Sequence, residues 1–267
     1  MEQTRLLSGC WLQQKKVFID NLLVSRQRPT IASVHDLRVS IKKIRSYLRL
    51  KEQITGDKWK ESFSSISALF RSFGVMRDFN MSLALLRQQE HKKFLLFPFF
   101  KEYLFVNRSL GRKWARQDAI RFNENELDVF DQQFNLDLTD KELCEKIIEA
   151  SLLKIKKVKE LIKHFQKNAH KIRKRLKDVY NWVKISPKDF DKKFINIEAL
   201  DQMLKHLGNA QDHFVFRKKI AHHIKDLPAN KENLHLKALQ KKLKTIQNEF
   251  LEKAKNKWKE VMPENGI

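Results

Sequence analysis

Between residues 35 and 49 the chain sets His35, Arg38, Lys42, Arg45 and Arg49 at alternating steps of three and four. At 3.6 residues per turn, that spacing keeps all five on one side of a helix. Guanidinium groups make planar two-point contacts with oxyanions, ammonium groups act as adaptable point charges, and a histidine adds a charge that titrates near neutrality. The row extends over roughly 21 Å at the helical rise, long enough to engage several anionic groups in succession. Val34, Leu37, Ile41, Ile44 and Leu48 repeat at the same steps, one residue earlier. The basic stripe is thereby turned about 100° from the apolar one. It flanks the core and is placed to line a groove, and the chemistry this predicts is the holding of a polyanion by many charge-assisted contacts.

A second stretch repeats the design. His170, Arg173, Lys177 and Lys184 form its basic stripe, and Ile172, Leu176, Val179 and Val183 its apolar one. Asp178 takes the place of Lys43 and Tyr180 that of Arg45, so this stripe is expected to bind more weakly. Further along each half, Phe73-Gly74-Val75-Met76-Arg77-Asp78 is echoed by Leu207-Gly208-Asn209-Ala210-Gln211-Asp212. The two echoes lie 135 and 134 residues apart, a register that an internal duplication of a multi-helix unit explains. Asp78 and Asp212 are expected in the first turn of a helix starting after each glycine, where a carboxylate suits the helix dipole. A second role, orienting a neighbouring Arg or Lys, stays open.

These stripes need helices to carry them. Helices are predicted near 4–24, 33–53, 58–72, 75–91, 99–122, 143–185, 189–206, 209–225 and 231–260, with 143–185 divisible into two. The five prolines fall between the periodic stretches, and Gly56, Gly74 and Gly208 sit where a left-handed C-terminal residue costs least. Residues 123–142 lose the periodicity and gather acids, among them Glu124, Asp128 and Asp131, with a short irregular or extended piece expected at Phe130 to Leu138. The division predicted is a helical half over 1–122, an acidic connection over 123–142 and a second helical half over 143–267.

Composition agrees with an all-α reading and narrows the partner. Six Gly and five Pro in 267 residues leave little material for the turns of a β fold. Lys and Arg number 55 against 32 Asp and Glu, a formal net charge of +23, so an acidic partner is expected. RNA or DNA held nonspecifically satisfies that charge as well as any other polyanion, although no reader module is recognisable. Cys10 and Cys144 match neither a disulfide framework nor paired zinc spacing, which fits core thiols in a reducing cytoplasm. The longest apolar run, at Phe94 to Phe100 and Tyr103 to Val106, is interrupted by Pro98 and Lys101/Glu102, so no membrane span is expected. His213, His222, His223 and His235 have no accompanying His-Glu-x-x-His, cysteine cluster or calcium loop, and no Gly-rich nucleotide loop or Gly-x-Ser-x-Gly elbow occurs. Neither a metal, a cofactor nor a catalytic centre is expected.

The segment Val34-His35-Asp36-Leu37-Arg38-Val39 with Lys42-Lys43-Ile44-Arg45, followed by Gly74-Val75-Met76-Arg77-Asp78, resembles the signature of the CHAD family. His170/Arg173/Lys177 and Gly208/Asp212 resemble that family's second half, and the likeness runs from about residue 4 to 226. The resemblance implies an all-α fold of two helical bundles related by pseudo-twofold symmetry, with a basic channel between them that binds inorganic polyphosphate. It also implies a cytoplasmic protein able to associate with polyphosphate granules. Carried over by position, the ligand-facing residues are His35, Arg38, Lys42, Lys43, Arg45, Arg49 and Arg77, with His170, Arg173, Lys174 and Lys177. Asp178, Tyr180 and Gln211 depart from the basic pattern. A triphosphate-cleaving domain of the CYTH type finds no room in the remaining residues, so a stand-alone binding module without enzymatic activity is the expectation.

Overall fold

The structure, a computed structural model, describes residues 4–93, 96–187, 190, 194–225 and 231–262. It is all-α, with no strand among the described residues. The helices are α1 (Leu6–Gln27), α2 (Ile31–Thr55), α3 (Ser64–Lys93), α4 (Pro98–Arg121), α5 (Asp140–Ile162), α6 (Phe165–Val183), α7 (Ile197–Lys225) and α8 (Lys231–Val261).

Local chemistry sets many of the ends. Thr30 and Ser33 form a reciprocal cap at the start of α2, Thr139 and Glu142 do the same for α5, and Pro98 opens α4 at its first turn. Gly56 closes α2 at φ 82°, the left-handed conformation expected of it. Gly74 and Gly208 do otherwise. Each lies inside one continuous helix, α3 or α7, so the breaks predicted at 72–75 and 206–209 are absent. Asp78 and Asp212 are consequently mid-helix and have no N-terminal dipole to serve. The 143–185 stretch does divide, at Lys163 and His164, without a proline or glycine to mark it. Residues 189 and 191–193 of the predicted 189–206 helix lie outside the described residues, and α7 begins at Ile197, capped by the Asn196 side chain, which accepts from the Ala199 N–H at 3.0 Å.

Helices sequential in the chain pack as hairpins, α1 with α2, α3 with α4, α5 with α6 and α7 with α8, while α2 crosses to α6 and α3 to α7. Two of the three cores ignore the boundary between the halves. One joins Trp11, Leu37, Ile44 and Phe73 to Leu143 and Ile147 of α5 and to Trp182 of α6. There the Trp182 indole N–H donates to the Ser46 carbonyl at 2.7 Å inside the protein. Another joins Phe79, Leu86 and Leu104 to Phe216, Ile220 and Leu236. The third belongs to α5–α8.

The acidic stretch is a strap and not a free linker. It forms two 3-10 turns, Glu124–Phe130 and Gln132–Phe134, and buries Leu127, Phe130, Phe134 and Leu136 against α1. Its acids neutralise α1: Lys15 reaches Asp128 and Asp131 at 2.8 and 2.7 Å, and Arg26 pairs with Glu124.

Candidate functional site

Where α2 and α6 meet, a cavity of about 560 Å³ opens. From α2 and α3 it receives His35, Arg38, Lys42, Lys43 and Arg77, and from α6 Arg173, Lys177 and Lys184. Cys10, Gln13 and Gln14 of α1 and the rings of Tyr47 and Tyr180 complete the wall, and no carboxylate lines it. Seven cations at one cavity repel one another and lose hydration, so those left for a ligand need neutral partners that fix them without cancelling their charge.

Aromatic faces and backbone carbonyls supply those partners. The Arg38 guanidinium lies 4.0 Å from the centre of the Phe70 ring and donates to the Phe70 carbonyl at 2.5 Å. It passes over Gly74 so closely that a Cβ there would meet Nη1 at 2.8 Å, so any larger residue at this point of α3 would displace the guanidinium. Arg173 crosses Gly208 more loosely, 3.7 Å from an equivalent Cβ, and its buried Nε has no protein partner among the described residues. Tyr180, which replaces a base in the second stripe, carries two: Lys177 and Lys184 sit 4.3 and 4.5 Å from its ring centre.

Crowding shows in the titration of these groups. Burial, then repulsion from Arg38, Arg173 and Arg77, pushes Lys42 down to about 7, although its amine is open to solvent through the cavity. Burial lowers Arg38 to about 10 against the opposing pull of Asp78. Lys177 and Arg173 are lowered for the same first reason. Arg77 is the exception: burial is overcome by Asp212, which takes both guanidinium ends at 2.8 and 3.1 Å, and by Asp78 at 3.2 Å, so its pKa is raised. Asp212 therefore has the orienting role that the sequence left open, exercised across the halves, from α7 to α3.

Four predicted site residues do not line the cavity. Arg45 packs against Phe63 and Phe70, 5.2 and 4.5 Å from the ring centres, and donates to the Ser67 hydroxyl at 2.9 Å. Arg49 donates to buried Asp178 at 2.8 Å, and Lys154 reaches the other carboxylate oxygen at 3.3 Å. The departure at Asp178 thus ties α2 and α5 to α6. His170 is exposed and faces a separate hollow with Gln211, and burial together with Lys174 and Arg173 lowers its pKa. Lys174 is exposed on α6. The wall from α1 was missed, because its polar members have no stripe; Gln14, in helical step with Leu7, Trp11, Phe18 and Leu22, was its one signal. Cys10 is half-buried at this wall and Cys144 is buried. Among the described residues no group of His, Cys, Asp and Glu is arranged to hold a metal.

No curated protein matches the chain. Among solved structures, PptA from Streptomyces chartreusis superposes with a TM-score of 0.73 at 12% identity, covering 97% of this chain and 100% of that one. The CHAD domain from the plant Ricinus communis gives 0.70 at 14% identity, covering 93% and 91%. At such identities these two likenesses speak for the fold. The model of the CHAD domain matches residues 18–221, spanning the helices that build the cavity from α2, α3 and α6. The chain belongs to the CHAD domain family.

Proposed function

We propose that the cavity holds a segment of linear inorganic polyphosphate and does not cleave it. The observation that carries this reading is a wall with seven cations and no carboxylate, in which Arg38, Lys177 and Lys184 rest on rings and are in no ion pair among the described residues. Such a wall suits a ligand with negative charge at every repeat and no bases to accommodate. Neither ring of the wall is free to stack a base: Tyr180 is covered by Lys177 and Lys184, and Tyr47 is buried. Binding of this kind recruits the protein to phosphate-rich bodies or modulates enzymes that work on the polymer.

The test is a titration of labelled long-chain polyphosphate against the wild type and Arg38→Gln/Arg173→Gln, with RNA as competitor at matched phosphate concentration. Polyphosphate is expected to displace RNA from the wild type, and the folded double variant to lose that preference. Equal binding by wild type and variant would assign the affinity to diffuse surface charge. Release of orthophosphate by the purified protein would contradict the non-catalytic part of the reading.

A further inference from the structure

Away from the cavity, α4 presents a second face that the polyanion reading does not use. Phe99, Val106, Leu110 and Trp114 are 59, 52, 43 and 48% exposed, although each is large and apolar. Their spacing places them on one side of the helix, over roughly 22 Å at the helical rise. The buried residues of α4, including Phe100, Leu104, Gly111 and Ala115, occupy the other side and pack against the rest of the fold. Phe99 and Val106 belong to the interrupted apolar run of the sequence, and Leu110 and Trp114 extend the stripe beyond it. None of the described helices is long and apolar enough to cross a membrane.

Three properties select the occupant. The stripe is the ridge of a single helix, and a fluid apolar layer accommodates a ridge without needing a matching groove. Its ends carry Phe99 and Trp114, ring side chains suited to the boundary between acyl chains and headgroups. Lys113 and Arg121 are exposed on or beside the stripe, and neither is in an ion pair among the described residues. A second copy would bring the same cations face to face in a protein of net charge +23. We infer that α4 lies in the surface of an anionic lipid membrane, with Phe99, Val106, Leu110 and Trp114 inserted and Lys113 and Arg121 at the headgroups. The protein would then join a lipid surface on one side to a polyanion held in its cavity.

Trp114 is a built-in reporter: it is 48% exposed, whereas Trp11, Trp59 and Trp182 are buried and Trp258 is partly buried against the core of α5–α8. The full chain is mixed with vesicles of phosphatidylcholine alone or with phosphatidylglycerol, at low and high salt, following tryptophan emission and sedimentation. Anionic vesicles are expected to sediment the protein and move its emission to shorter wavelength, and Trp114→Phe should remove the shift while sedimentation persists. Leu110→Glu should lower partitioning at least about tenfold, since it trades apolar insertion for a repelled charge, with thermal stability and polyphosphate affinity unchanged. Sedimentation without an emission shift, abolished by salt, would mean charge adsorption alone and overturn the inference. So would an emission shift that tracks protein concentration with a doubling of mass, which would make α4 an interface between copies.

Discussion

Replacing Gly74 by alanine tests whether the close approach of Arg38 to α3 serves binding. In the middle of a helix, alanine is favoured over glycine by roughly 0.5–1 kcal/mol. Here the new methyl carbon would come within 2.8 Å of Arg38 Nη1, which must swing off the Phe70 carbonyl and ring. The freed guanidinium is the end of a flexible side chain and can regain water in the cavity, so the two effects roughly offset and stability changes by about 1 kcal/mol or less. Binding does not benefit from that offset. A charged hydrogen-bonding contact is worth about 1.5–3 kcal/mol, so a misplaced Arg38 weakens polyphosphate binding about tenfold to a hundredfold. Gly208 is the internal control. A methyl group there meets Arg173 at 3.7 Å, ordinary contact, so Gly208→Ala raises the melting temperature by about 2–3 °C and leaves affinity alone. Thermal unfolding and titration with labelled polyphosphate read both quantities. If Gly74→Ala binds like the wild type, the pinning of Arg38 has no part in recognition and the reasoning is refuted.

The lowered Lys42 predicts proton uptake on binding. Free, it is largely neutral above about pH 7, and binding an anion that favours its charged form draws a proton from the buffer, so affinity falls as pH rises from 7 to 8. Calorimetry in two buffers of different ionisation enthalpy measures that uptake, which Lys42→Arg should abolish; identical apparent enthalpies for the wild type would contradict it. For stability without ligand the sign is opposite: the unfolded chain binds the proton more readily, so Lys42 penalises folding less as pH rises from about 7 towards its ordinary value. Arg49→Ala should cost about 1–3 kcal/mol in denaturant melts through loss of the Asp178 tie, with polyphosphate affinity within about threefold of wild type; a binding loss without a stability loss would return Arg49 to the ligand. His170→Asn should leave the affinity and its pH profile between 5.5 and 8 unchanged, since His170 faces away from the cavity, and a changed profile would put it in the site.

The stripes were legible because period and residue type coincide in them: the apolar partner of each basic stripe is fully buried at Leu37, Ile41, Ile44, Ile172, Leu176 and Val179. What failed was the distinction between a glycine that ends a helix and one that admits a neighbour. Gly56 and Gly74 look alike in sequence, and only the path of Arg38, set by tertiary packing, separates them. The same limit applies to cations. Arg38 and Arg49 belong to one stripe 11 residues apart, yet Asp178 on another helix takes Arg49 out of the cavity wall. The acids of the connecting strap were visible, but that they neutralise Lys15 and Arg26 depends on a chain reversal that local patterns do not record.

The placement of carboxylates explains how so basic a cavity survives folding. Asp178 and Asp212 stand at its edge, joining α6 to α2 and α5 and α7 to α3, so each neutralises charge where it also ties helices together. Inside, the charges of Arg38, Lys177 and Lys184 rest on ring faces, which hold a cation in position without satisfying it. An acid in their place would stabilise the free protein more and would compete with any anionic ligand. The two non-basic positions of the second stripe therefore have uses of their own: Asp178 ties α6 to α2 and α5, and Tyr180 carries Lys177 and Lys184. Both substitutions shift local charge towards neutrality while leaving Lys177 and Lys184 available, and the loss of two bases from the sequence pattern is not the loss of a wall from the site.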